Sequence, residues 1–194
     1  MITVDTVLRI ATFMLLFSRV VYWLKSANLT NSTKPKHMNP TLLQKVKDYI
    51  LFFLWALLGA QLLGLSLVAF SYHELLQCFG FLLATNGIVV SVLGRRELGV
   101  NWAHGGEYQI KYDQELVTTG IYHHIRHPIY LGVIFAYLGG KIVAGSYLAI
   151  LFLLLFTNFA IAQAKKEEKL LIHHFGQAYK DYMRDTIMLI PFVF

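Results

Sequence analysis

The chain has 194 residues, 56% of them hydrophobic and 14% charged, a mixture far too apolar for a water-soluble domain of this length. Its net charge of +6 is gathered between apolar runs, where it reads as a topology signal facing anionic headgroups and speaks against a nucleic-acid partner. The single cysteine, Cys78, excludes an internal disulfide and reads as packing.

Apolar runs near residues 4–24, 49–71, 75–94, 129–148 and 147–164 each approach the roughly 20 residues needed to cross a bilayer core. They predict an all-α integral membrane protein with about five transmembrane helices in one membrane domain, 1–194. The first run carries Arg9 and Arg19 and no small-residue cleavage site follows it, so a retained helix is expected rather than a signal peptide. After it, "NLTNSTKPKHMNP" (28–40) combines turn chemistry with no apolar period and predicts a surface connection. Between the third and fourth runs, 95–127 is long and polar, a length that marks a functional segment. Its Trp102, Tyr108, Tyr112 and Tyr122 argue for order at the membrane interface.

The fourth helix is expected to begin at "HPIY", because Pro128 is tolerated in a first turn while His127 before it is pushed toward extended backbone. That start would present free N–H groups and the positive end of the helix dipole beside Arg126 and His127, a site for an anion. Gly120 lets the chain turn and Gly132 lets helices approach closely. "GGKIVAGS" predicts a tight antiparallel turn into a fifth helix that runs from Tyr147 to Phe175, where Gly176 stops it. At about 1.5 Å per residue this helix outruns the membrane, and its emergent part is "AKKEEKLLIHHF". Ala160, Gln163, Ala164 and Glu167 share one stripe that suits a pocket wall, with Glu168 expected to point elsewhere. Glu167 and Glu168 also fit solvated charges where a helix leaves the bilayer, and His127 and Tyr130 also fit interfacial anchors. His123, His124 and His127 do not read as a metal site, since the extended chain before Pro128 removes helical HxxxH spacing and no cysteine is near.

Lys and Arg decide the orientation: fourteen lie in 25–47, 95–127 and the tail after 164, against Lys141 alone in the opposite connections. An external N-terminus and a cytoplasmic C-terminus follow.

Taken together, "LVTTGIYHHIRHPIYLG" (116–132), a further span, "EEKLLIHHFGQAYKDY" (167–182) and "IP" (190–191) resemble the isoprenylcysteine carboxyl methyltransferases of membranes. The resemblance implies a catalytic region over 95–194 and transfer of a methyl group from S-adenosylmethionine to the C-terminal carboxylate of a prenylated cysteine. It implies cofactor binding by Gln114, Glu115, Leu116, Val117, Tyr122, His127, Pro128, Ile129, Tyr130 and Glu167 in a cytoplasmic pocket. That pocket would be formed by the 95–127 loop, the start of helix 4 and the emergent end of helix 5. Arg126 and Glu167 are the candidate catalytic residues. The eukaryotic family pattern has an arginine where this chain has Gln163, the candidate substrate-binding position. That departure keeps a phospholipid or small-amine methyltransferase open as the alternative acceptor class. A membrane reductase or a non-enzymatic lipid-binding protein is the more distant alternative. Membrane lipids and a prenylated or lipid-like acceptor are the expected partners, and no metal is expected.

Overall fold

The computed structural model describes residues 3–31, 42–65, 67–69, 73–102 and 114–189. Tyr108, Tyr112, the "IP" pair and most of the expected 28–40 connection lie outside them; of that connection, residues 28–31 continue the first helix. The described residues form six helices: α1 (Val4–Asn31), α2 (Leu42–Leu62), α3 (Glu74–Leu98), α4 (Pro128–Val143), α5 (Leu148–Phe175) and α6 (Gln177–Asp185). Short 3-10 turns occupy Gly99–Asn101 and Gly120–His123. Three segments, Val4–Ser26, Glu74–Asn101 and Leu148–Phe175, are long and apolar enough to cross a membrane, while Asp48–Leu62 and Pro128–Val143 are shorter apolar helices.

α4 is the axis of the bundle. Its face toward α3 is built on glycine, because the two backbones nearly touch: a Cβ on Gly87 would lie 2.3 Å from Ala136 N, and one on Gly132 would lie 2.5 Å from Gly87 O. On its other sides, Tyr137 and Ala136 pack with Leu16 of α1, Leu58 of α2 and Phe152 of α5. Nearer its start, Leu131 and Ile134 meet Ala160 and Ala164 of α5 together with Met188 and Leu189 from the chain's end.

Helix ends follow local chemistry where glycine or proline governs them. α4 starts at Pro128 and α5 stops before Gly176, which takes φ 60°. The turn between α4 and α5 closes through Gly145, with Gly145 N donating to Ile142 O and Ser146 N to Lys141 O. Two expectations are corrected. The second apolar run does not stay helical to 71: α2 ends at Leu62, Gly64 takes φ 114°, and the chain folds back so that Leu67 O accepts hydrogen bonds from Ser146 and Gln61. Lys141 is not a loop charge; it sits in the last turn of α4, 1% exposed, and its ammonium donates to Gln61 Oε1.

Candidate functional site

The approach to α4 is a pinned strand. Arg126 N donates to Ile187 O (2.8 Å), His127 N to Met188 O (3.1 Å) and Ile187 N to His124 O (3.0 Å), so the segment after α6 lies alongside residues 124–127 as an isolated parallel bridge. His127 caps α4 with φ −125° and ψ 59°, non-helical before Pro128 but short of the extended backbone expected there.

Arg126 is buried in this junction. Its Nε donates to Glu168 Oε1 at 2.7 Å, and its Nη1 donates to Met183 O (3.1 Å), Thr186 O and Thr186 Oγ1 (3.3 Å). One guanidinium therefore ties α5, α6 and the final segment to the start of α4. His127 lies beside it with carboxylates at both ring nitrogens: Glu168 Oε1 is 3.3 Å from Nε2 and Glu167 Oε2 is 3.6 Å from Nδ1. Tyr130 completes the group by donating its hydroxyl proton to Glu167 Oε1.

These contacts decide the charges. Burial opposes protonation of His127, but the two glutamates outweigh it and raise its pKa above the ordinary histidine value. Burial likewise opposes ionisation of Glu168, and here His127 and Arg126 prevail and hold its carboxyl below the ordinary range. Arg126, His127, Glu167 and Glu168 thus form a near-neutral quartet. Its members differ in access: the Glu168 side chain is 7% exposed and that of Glu167 is 28%. Tyr122 lies on the same side, buried, with its backbone carbonyl accepting from Tyr182 Oη at 2.7 Å. Its phenol is pushed up by burial first, then by Tyr182 and Glu167, with Arg95 opposing.

The structure thus brings Tyr122, Arg126, His127, Pro128, Tyr130 and Glu167 to one junction. Gln114, Leu116 and Val117 are half-buried and Glu115 exposed, on a segment that follows the end of α3: Glu115 N donates to Asn101 Oδ1 (3.1 Å) and Thr119 Oγ1 to Glu97 Oε1 (2.6 Å). Gly120, at φ 56°, ends it, and a Cβ there would strike the Glu97 carboxylate at 2.7 Å. Gln163 is buried on α5.

The helix-face expectation is corrected. The buried positions of α5 here are Ala160, Gln163, Ala164 and Glu168, so Glu168 rather than Glu167 completes the stripe. Glu168 stands four residues after Ala164 just as Glu167 stands four after Gln163, and periodicity alone cannot choose between them. The choice is made by Arg126, 42 residues away, which draws one carboxylate inward. Glu168 and Thr186 are the members that sequence reasoning missed; the local signal for Glu168 was the Ala160–Ala164 pair. At the start of α4 both glutamates bond side chains, Glu168 those of Arg126 and His127 and Glu167 that of Tyr130.

Comparison with known proteins agrees with this layout. The family model described as phospholipid methyltransferase matches residues 75–178, which contain α4, α5 and all but the first residue of α3. The chain is 29% identical over 117 residues to the protein-S-isoprenylcysteine O-methyltransferase of Schizosaccharomyces pombe, covering 60% of this chain and 47% of that one. It is 30% identical over 140 residues to methanethiol S-methyltransferase 2 of Bradyrhizobium diazoefficiens, covering 72% and 47%. The chain therefore spans about half the length of these relatives. Among solved structures it resembles the eukaryotic intramembrane Ras methyltransferase ICMT, isoprenylcysteine carboxyl methyltransferase, with a TM-score of 0.58 and 26% identity, over 77% of this chain and 51% of that one. With more than half of its length matched by the family model, the chain belongs to the phospholipid methyltransferase family.

Proposed function

We propose that the protein is an S-adenosylmethionine-dependent carboxyl methyltransferase that esterifies the C-terminal carboxylate of a prenylated cysteine at the cytoplasmic membrane face. In this reading α1 to α5 all cross the membrane, α2 and α4 as shorter members sheltered by their neighbours, with the N-terminus outside. The observation that carries the reading is the division of labour around His127. Glu168 is spent on Arg126 inside the junction, while Glu167, bonded to Tyr130, keeps a partly exposed carboxylate.

That arrangement suits the cofactor. S-adenosylmethionine carries a cationic ammonium and a sulfonium, and when bound it supplies an electrophilic methyl group. Glu167 would hold the ammonium, with Tyr130 orienting the carboxylate. Tyr122 and the first turn of α4 (Pro128, Ile129) would wall the pocket, and Gln114, Glu115, Leu116 and Val117 would close it from the α3 side. A prenylcysteine carboxylate is already ionised near neutral pH, so no general base is required. The residues have other work: to exclude water, to align acceptor and donor, and to keep local charge balanced. The Arg126–Glu168 pair and protonated His127 do the last of these, which makes Arg126 a positioning residue rather than a group that meets substrate.

A second reading, methylation of a lipid amine or another uncharged nucleophile, is favoured by one feature: the buried side chain at 163 is a neutral glutamine. Both readings need the same cofactor. Binding of labelled S-adenosylmethionine to the purified protein in detergent tests the shared core. His127→Ala is expected to weaken it by at least about tenfold, the equivalent of about 1.4 kcal/mol and a modest loss for one charge-assisted contact. Unchanged affinity in a folded variant would assign His127 to anchoring.

A further inference from the structure

A second group of charges sits apart from the quartet, between α1, α2 and α3. Arg19 lies within the apolar α1 segment, 8% exposed. Its guanidinium stands 4.6 Å from the Trp23 ring centre and 5.4 Å from that of Trp55. Its one hydrogen bond among the described residues is from Nε to Ser91 Oγ, at 3.3 Å. One turn further along α3, Arg95 is 4% exposed and stands 4.3 Å over the ring of Trp102. Its Nη1 and Nη2 reach the carbonyls of Gly99 (2.9 Å) and Ser26 (3.0 Å), but its Nε is buried with no acceptor among the described residues. Trp23 and Trp102 meet edge to face at 5.9 Å, so the residues form a ladder: Arg19, Trp23, Trp102, Arg95.

The ladder holds two buried cations and, among the described residues, no carboxylate within ion-pair distance of either. This is the reverse of the quartet, where positive and negative groups match. Ring faces compensate a cation in part but accept no N–H hydrogen bond in the guanidinium plane. A buried guanidinium with unfilled donors is costly, and ionisable groups inside a membrane segment usually face a partner or a substrate path.

We propose that Arg19 and Arg95, walled by Trp23, Trp55 and Trp102, bind the acidic headgroup of a membrane amphiphile. An amphiphile fits better than a free ion, because Arg19 is reached only within the apolar depth of α1, where a tail lowers the cost of entry. Two sources share this chemistry: an anionic phospholipid, and an acceptor that bears its own carboxylate. For the second, Arg19 and Arg95 would supply the positive charge that Gln163 does not. The site itself stands whether or not the methyl-transfer reading does.

The chain has three tryptophans, and all three line this site, so intrinsic fluorescence reports on it directly. The test titrates the full chain in neutral detergent with phosphatidylglycerol brominated on its acyl chains and, separately, with equally brominated diacylglycerol. The acidic lipid is expected to quench at concentrations at least about tenfold lower than the neutral one. Arg19→Gln and Arg95→Gln are each expected to remove most of that difference. N-acetyl-S-farnesylcysteine then identifies the source: if it displaces the bromolipid while its neutral methyl ester does not, the site accepts the acceptor's carboxylate, and if neither displaces it, the site is a lipid site. Equal quenching by both bromolipids in the wild-type chain would overturn the proposal even if the variants fail to fold. So would an undiminished preference for the acidic lipid in both folded variants. No readout involves methyl transfer, so this test and that of the activity fail independently.

Discussion

The two ends of the bundle carry polar networks of similar size and opposite design. At the end where α1 begins, Asp5 pairs with Arg9 at 2.7 Å and accepts from Gln77 Nε2 at 2.6 Å. Gln77 also reaches Val143 O, Gln61 reaches Ser146 Oγ, and Lys141 closes the group on Gln61. Gln61, Gln77, Lys141 and Ser146 are all 1% exposed or less. At the other end the quartet around His127 is as densely bonded, and Glu167 remains partly open. Apart from Asp5 at its edge the first network is sealed, and it fastens α1, α2, α3 and α4 to one another. Each network keeps one partly exposed carboxylate, Asp5 at 36% and Glu167 at 28%, and their pairing separates them: Asp5 holds the guanidinium of Arg9, whereas the guanidinium of the quartet is taken by Glu168, which leaves Glu167 to Tyr130 and His127 and able to receive a ligand.

The strongest way to break the comparison is to remove the fastening at the site end. Arg126→Met leaves Glu168 buried without its partner, and loss of one member of a buried pair costs roughly 3–5 kcal/mol. A large drop in thermal stability in detergent and increased proteolysis after α6 are expected. The double variant with Glu168→Met should recover much of the stability but little activity. An unaltered melting temperature in Arg126→Met would mean that the junction does not hold the chain's end.

Next comes the division between the glutamates. Glu167→Gln is expected to lower methyl transfer at least about tenfold with little change in stability, because it removes an open charge. Glu168→Gln should show first as a stability loss, because its charge is matched inside the protein. Parallel activity and melting measurements on both variants check this, and the opposite pattern would reverse the assigned roles.

A smaller effect is expected from pH. His127 has its folded pKa raised from 6.5, so its contribution to stability is fully present below about 6.5 and is lost as pH rises through the folded value. Glu168 has its pKa lowered from 4.5, so its contribution is present above about 4.5 and is lost as pH falls through the folded value. The site end should therefore be most stable between these values, and melting curves of His127→Gln should lack the alkaline decline seen in wild type. The smallest effect belongs to the sealed end. Lys141→Met replaces a buried ammonium by an apolar chain of similar length, leaving Gln61 Oε1 without its donor, a change of about 1–2 kcal/mol in stability. Methyl transfer should stay within about twofold, and a severe loss would link the two ends.

The same contrast explains what could be read from the sequence. The start of α4, the stop of α5 and the turn between them were legible because proline and glycine act on their immediate neighbours. The RHPIY element was legible as a cluster of chemistry, and the structure keeps Arg126, His127 and Tyr130 together. What Arg126 does was not legible, since its partners Glu168, Met183 and Thr186 lie 42 to 60 residues away and two of the four contacts are backbone carbonyls. Glu167 and Glu168 differ by about 100° on one helix, and only a distant guanidinium settles which turns inward. The sealed end was invisible for a related reason: Lys141 has the composition of a loop charge and gains its buried place from Gln61 on another helix. Arg19, by contrast, was visible as a charge inside an apolar run, and that no described carboxylate pairs with it emerged only from the packing.

On the proposed function, the open carboxylate beside His127 serves methylation of a carboxyl group. Purified protein incubated in detergent with methyl-labelled S-adenosylmethionine and N-acetyl-S-farnesylcysteine should yield a labelled ester that releases volatile methanol in base. A labelled product stable to base would place the methyl group on nitrogen or sulfur and contradict carboxyl methylation.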